Sequence, residues 1–169
     1  AHGPPLAGGH AAGRTCYTPP AQLERRVFVV DYESKLADLF QEEDAARAMS
    51  RQLMSLANKS REAAAAERGS LLAFLHGPME RHMDYEERLL FPKLEDRGLG
   101  PEVQVATKQH HALREKRDEL ERTAEGDQVA VLVFEIARLM LHHTNFEGDY
   151  IYPELDRQDW IELMEETIH

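Results

Sequence analysis

A single cysteine, Cys16, stands in a chain of 169 residues. That excludes an intrachain disulfide, and neither a cysteine-rich zinc site nor an iron–sulfur cluster can be built from one thiolate. Basic residues are few: 20 Lys and Arg face 31 Asp and Glu, for a formal charge of −11. A nucleic-acid backbone demands a positive footprint, so no nucleic-acid partner is expected. No apolar run approaches the roughly 18 residues that suggest a membrane span, so no membrane partner is expected either. Sustained period-two alternation is missing, which removes the case for a sheet. No serine, cysteine and histidine arrangement suggests an activated nucleophile, and a hydrolase is therefore disfavoured. The opening AHGPPLAGGHAAG has neither the cationic region nor the apolar stretch of a signal peptide, and cytoplasm is the expected location.

What remains is helical. Apolar residues make up 42% and charged residues 30%, the balance of a globular chain with room for one domain. Residues 1–20, rich in Gly and Pro, read as a flexible N-terminal arm, and residues 21–169 as a single helical domain. A first helix is expected from Gln22 to about residue 58, with Val29, Glu33, Leu36, Phe40, Met49, Leu53 and Leu56 on one stripe. A bend is expected near the polar EEDAARAM, and Gly69 should end the helical REAAAAERG. A second helix over 70–91 presents Leu72, Leu75, Met79, His82, Glu86 and Leu89, with Pro78 as a candidate kink. A third begins at Pro101 and shows Val103, Ala106, His110, Leu113, Arg117 and Leu120 on one face. The fourth runs over 128–150, with Val129, Val133, Ile136, Met140, His143, Glu147 and Tyr150 aligned. A short C-terminal helix around Trp160, Ile161 and Met164 would cap the result. Long helices with short links make an all-α, antiparallel four-helix bundle.

One motif occurs twice. His82-Met-Asp-Tyr-Glu86 is followed by Phe91-Pro92, and His143-Thr-Asn-Phe-Glu147 by Tyr152-Pro153, each aromatic–proline pair expected to close its helix. Residues four apart share a helix face, so each motif presents an imidazole and a carboxylate to the interior. Burying four such groups unpartnered costs several kcal/mol, about what a metal pair would remove. These ligand types suit iron, manganese or zinc better than cuprous copper. On the third helix the stripe selects His110 as inward and His111 as solvated. By the same reasoning His143 is preferred to His142, which is left as an outer donor or interhelix contact.

These residues resemble the hemerythrin-like, His-His-Glu cation-binding domain over about residues 24–155. HMDYEERLLFP and HHTNFEGDYIYP look like its second- and fourth-helix motifs, and QHHALR like its third. The resemblance implies a bundle enclosing two irons with an oxo or hydroxo bridge. It makes Glu86 and Glu147 the bridging carboxylates and His82, His110 and His143 the terminal ligands. The first helix departs from the family pattern, which has Asp-His where this chain reads VVDYESKLADLF. Counting back from the aliphatic residues puts Glu33 at the ligand position, whereas counting from the Asp puts Tyr32 there. The oxygen carriers of the family hold five histidines, but here the first-helix histidine is missing and Arg114 stands four places after His110. An oxygen-rich, histidine-poor site should favour ferric iron. The expected function is a di-iron protein, with manganese also accepted by the ligands, that reacts with O2, peroxide or nitric oxide and draws on an electron donor. Phe40, Phe74, Leu113 and Phe146 would screen the open position. Reversible O2 or nitric oxide carriage or sensing, and iron storage or transfer, are the alternatives; catalytic turnover is left open.

Overall fold

The computed structural model describes residues 32–124 and 126–154, with side chains from residue 38 onward. The N-terminal arm, the capping helix around Trp160 and the side chains of Tyr32 and Glu33 lie outside the described residues. Four long helices fill the rest, with no strand among the described residues. α1 is Tyr32–Ala57. α2, over 61–96, is a composite of α-helical segments joined through two π-helical ones, Leu75–Met79 and Glu86–Leu90. α3 is Gly100–Arg122 and α4 is Asp127–Tyr150, followed by a 3-10 turn at Tyr152–Glu154. The all-α bundle expected from periodicity is what the chain forms.

Several local expectations give way. α1 passes through EEDAARAM unbroken, because Glu43, Ala46 and Ser50 turn inward at helical spacing there. Gly69 does not end a helix; it lies inside Arg68–Phe74, while Ala64 of the alanine run is completely buried. Ser60 starts that run by accepting the Ala63 N–H at 3.1 Å, a side-chain cap of the usual kind. Phe91-Pro92 does not close α2, which continues through Phe91–Asp96. Proline lacks an N–H and its ring clashes with the carbonyl four residues back. A π-helical segment contains Pro78 and another directly precedes Phe91-Pro92, so the turn widens at each site and the helix survives. The wider turns also shift which side chains face in: Leu71 and Leu90 are buried where Leu72 and Leu89 were expected. Phe40 and Tyr150, expected inward, are 43% and 57% exposed.

The bundle's interior is layered. One apolar cluster contains Ala46, Met79, Met83, Leu113 and Met140, and a second contains Leu39, Leu90, Ala106 and Ile151. On every helix a polar residue separates the two: Glu43 on α1, His82 and Glu86 on α2, His110 on α3, His143 and Glu147 on α4. The clusters are met in opposite order on successive helices, which is the up-down-up-down path of an antiparallel bundle. A polar layer is thus sealed between two apolar ones.

A candidate metal centre between two apolar layers

All six polar-layer residues are at most 2% exposed. His82, Glu86, His143 and Glu147 each offer one ligand atom, all within 4.8 Å of one another. Glu86 spans two helices: its Oε1 lies 3.4 Å from His82 Nε2, and its Oε2 lies 3.4 Å from His110 Nε2. Glu147 does the same, with Oε2 at 3.4 Å from His143 Nε2 and Oε1 at 3.7 Å from His110 Nε2. Glu43 Oε1 approaches His82 Nε2 to 3.7 Å. The rings of His110 and His143 meet edge to face, with centroids 4.6 Å apart, and Phe91 stacks on His110 at 5.5 Å.

Each imidazole is held from behind. His82 Nδ1 pairs with Glu42 at 3.1 Å, His110 Nδ1 with Glu87 at 2.8 Å, and His143 Nδ1 with the Gln109 side-chain oxygen at 3.2 Å. All three Nε2 atoms, by contrast, are buried without a hydrogen-bond partner. So are Glu43 Oε1, Glu86 Oε2 and both oxygens of Glu147. An unsatisfied buried polar atom costs about 1–3 kcal/mol, and seven of them facing one centre are a set of donors that cations would satisfy. A hydrogen bond on Nδ1 that leaves Nε2 inward is how metal-binding histidines are oriented. The residues fit a small metal cluster.

Electrostatics agree with the geometry. Burial and the neighbouring Glu147 carboxylate push the Glu43 carboxyl up to about 9. Burial lowers His110, but Glu147, Glu86 and Glu87 outweigh it and raise the imidazole to about 10. Burial drops His143 to about 4, while burial and then Glu86 hold the Tyr152 phenol far above its ordinary range. Glu147 is held well below the usual carboxylate range: burial opposes this, and His143, His110 and His82 overcome it. The metal-free cluster therefore neutralises its carboxylates with protons that cations would displace.

Residues 34–155 match the family model of the hemerythrin HHE cation-binding domain. The chain belongs to that family. Neither the curated proteins nor the solved structures searched give a match. As a hemerythrin-family metal-binding domain, the chain can hold a small polynuclear metal cluster in this layer. No helix among the described residues is long and apolar enough to cross a membrane.

The structure brings together five of the seven hemerythrin-type ligand candidates named from sequence: His82, Glu86, His110, His143 and Glu147. Tyr32 and Glu33 open α1, and their side chains are not among those described. His111 and His142 are exposed, as is His76, which pairs with Glu121 at 3.5 Å. Arg114 crosses to α2 and bonds Glu80 at 2.9 Å and Glu87 at 2.7 Å, tying down the carboxylate behind His110.

Sequence reasoning missed Glu43. Leu39, Glu43, Ala46, Ser50 and Leu53 recur at spacings of four and three and are all buried, a stripe the first-helix reading did not use. Ten residues separate Glu33 from Glu43, roughly 15 Å along a helix axis. Gln109 was overlooked because it sits beside a more conspicuous histidine pair. Tyr152 was read as a helix stop, yet its hydroxyl donates to Glu86 Oε1 at 2.6 Å.

Proposed function

We propose that this hemerythrin-family domain holds two irons and reacts with O2, peroxide or nitric oxide in a redox or stress-related role. The observation that carries the reading is the set of seven unpartnered donor atoms converging from four helices, with every imidazole oriented from behind. In this reading His82 and Glu43 serve one metal position, and His110 and His143 the other. Glu86 and Glu147 would bridge: the oxygens of Glu86 approach His82 and His110, and Glu147 reaches His110 and His143 on one side and His82, at 4.0 Å, on the other. Glu43 takes the first-helix place that Glu33 or Tyr32 was expected to fill. Bound iron would supply one-electron redox chemistry and coordination positions that the protein leaves open. The protein's own part is to orient the donors, exclude bulk water between two apolar layers and, while metal-free, keep on Glu43 and His110 the protons that cations would displace.

Three histidines and three carboxylates make a more oxygen-rich set than the five-histidine carriers, which favours the ferric state and redox turnover over reversible carriage. The test is metal analysis and visible spectroscopy of protein prepared anaerobically under reduction, then exposed to air. About two irons per chain, with near-ultraviolet charge-transfer bands appearing irreversibly, is the expected result. A stable adduct that dissociates under vacuum would replace turnover with carriage. Iron passing readily to a chelator or apoprotein would point to storage or transfer. Two manganese ions in place of iron would change the cofactor, and a folded protein that takes up no transition metal would end the reading.

A further inference from the structure

The first-helix carboxylate is held by one arginine. Arg47, on the turn of α1 after Glu43, pairs through Nη2 with Glu43 Oε2. The same guanidinium donates to the Thr144 carbonyl of α4 at 2.8 Å and to Asp44 at 3.0 Å. With Oε2 engaged, Glu43 Oε1 is left buried and unpartnered, facing His82 Nε2 at 3.7 Å. Gly148 stands one turn beyond Thr144. A Cβ there would lie 3.1 Å from Arg47 Nη2, so any side chain would press on the guanidinium.

We propose that Arg47 is a positioning residue for the metal pair: it holds one oxygen of Glu43 and thereby presents the other, singly, to the metal position shared with His82. Gly148 is the position on α4 where a side chain would crowd this guanidinium and force it to shift by a few tenths of an ångström. The inference rests on Glu43 being a ligand. A carboxylate on a flexible Glu stem can chelate with both oxygens or rotate away. Arg47 removes both options by fixing Oε2 against the backbone of the helix that also carries His143 and Glu147. Glu43 is thereby aligned to α4 as well as to its own helix. A planar guanidinium can meet Glu43, Thr144 and Asp44 in fixed directions, whereas an ammonium is a point charge on a flexible stem.

The experiment loads the full chain anaerobically with ferrous iron, then challenges it with a chelator and follows iron per chain over time. Wild type, Arg47→Ala, Arg47→Lys, Gly148→Ala and, as a control, Gly69→Ala are compared; a Cβ at Gly69 meets nothing within 4 Å. Circular dichroism of each metal-free protein reports folding. Loss of an outer partner typically weakens metal binding about 10- to 100-fold, so Arg47→Ala should lose iron from one position faster by that order. Release should then become biphasic, with the second iron kept longer. Arg47→Lys should recover part of the retention. Gly148→Ala should lose iron faster even though alanine favours the helix, and Gly69→Ala should behave as wild type.

Wild type with two irons, and Arg47 and Gly148 variants that hold both as tightly, would overturn this inference alone. If Arg47→Ala does not fold, Arg47→Lys and Gly148→Ala decide: unchanged retention in both refutes the positioning role. Wild type that holds no iron overturns the metal reading and this inference together.

Discussion

The two His-x-x-x-Glu motifs are alike in sequence and supported in different ways. The 143–147 motif sits in an unbroken α-helix. The 82–86 motif lies between two π-helical segments, with Glu86 the first residue of the second. His143 leans on an amide, Gln109, that is 9% exposed, whereas His82 leans on a carboxylate, Glu42, whose side chain is 33% exposed. Glu86 accepts a phenol hydrogen bond from Tyr152, while Glu147 has no hydrogen-bond partner on either oxygen. Spacing brings each imidazole and its carboxylate to one helix face, and the outer contacts make the two pairs unequal. The carboxylate of the α4 motif depends wholly on what fills the centre; that of the α2 motif is partly satisfied by the protein.

That difference predicts which carboxylate matters most. Glu147→Gln removes the group whose two oxygens face all three imidazoles, and iron per chain should fall from about two to well below one by elemental analysis. Glu86→Gln, with Tyr152 still beside it, should leave more iron bound than Glu147→Gln. The reverse order would break the comparison.

The next largest effect is on the stability of the metal-free protein against pH. Glu43 rises from its ordinary 4.5 to about 9 and His110 from 6.5 to about 10, so between about 6.5 and 9 the folded state binds more protons than the unfolded state. Stability must fall as pH rises through that window. His143 has the opposite sign: lowered to about 4, it makes stability rise with pH between about 4 and 6.5. Between about pH 4.5 and 6.5 Glu43 and His143 offset each other, so the melting temperature of metal-free protein should stay nearly level there and decline from pH 6.5 toward pH 9. Metal-loaded protein should decline less, because cations replace the protons. A flat alkaline limb in the metal-free protein would mean that the layer does not hold protons on Glu43 and His110.

How much of this could be read from sequence follows from the same contrast. Imidazole and carboxylate four residues apart announce themselves because helical period and ligand chemistry coincide, and His110 was legible because it fell on a clean apolar stripe. Glu43 was hidden among Glu42, Glu43 and Asp44, where one acidic residue faces in and the others do not; only the stripe through Leu39, Ala46, Ser50 and Leu53 picks it out. The register of α2 was legible only in part. A reader who takes proline as a break cannot foresee that the turn will widen and bring Leu71 and Leu90 inward. The partners on Nδ1 were not legible, since Glu42, Glu87 and Gln109 are ordinary surface residue types whose role appears only when helices are side by side.

Those partners allow the two motifs to be made alike. Glu42→Gln gives His82 the amide support that His143 already has, and competition with a chelator should show metal affinity reduced by up to about tenfold. Gln109→Ala removes the buried support altogether and should cost more, about 10- to 100-fold. Equal and negligible effects would show that the Nδ1 contacts are incidental to metal binding.

The smallest effect should come from Tyr152→Phe. The substitution keeps the ring that packs edge to face on Phe40 at 5.6 Å and deletes only the hydroxyl that donates to Glu86 Oε1. Removing the donor leaves a buried carboxylate oxygen unsatisfied, at a cost of about 1–3 kcal/mol, so denaturant unfolding of the metal-free protein should register a loss of that order. The metal-loaded protein should lose less, because a bound cation satisfies the oxygen the phenol leaves. With the phenol gone, Glu86 becomes as dependent on the centre as Glu147, and chelator release should bring Glu86→Gln and Glu147→Gln closer together in the Phe background. If they stay as far apart as with Tyr152 present, the asymmetry between the motifs comes from the π-helical register of α2, and not from the hydrogen bond.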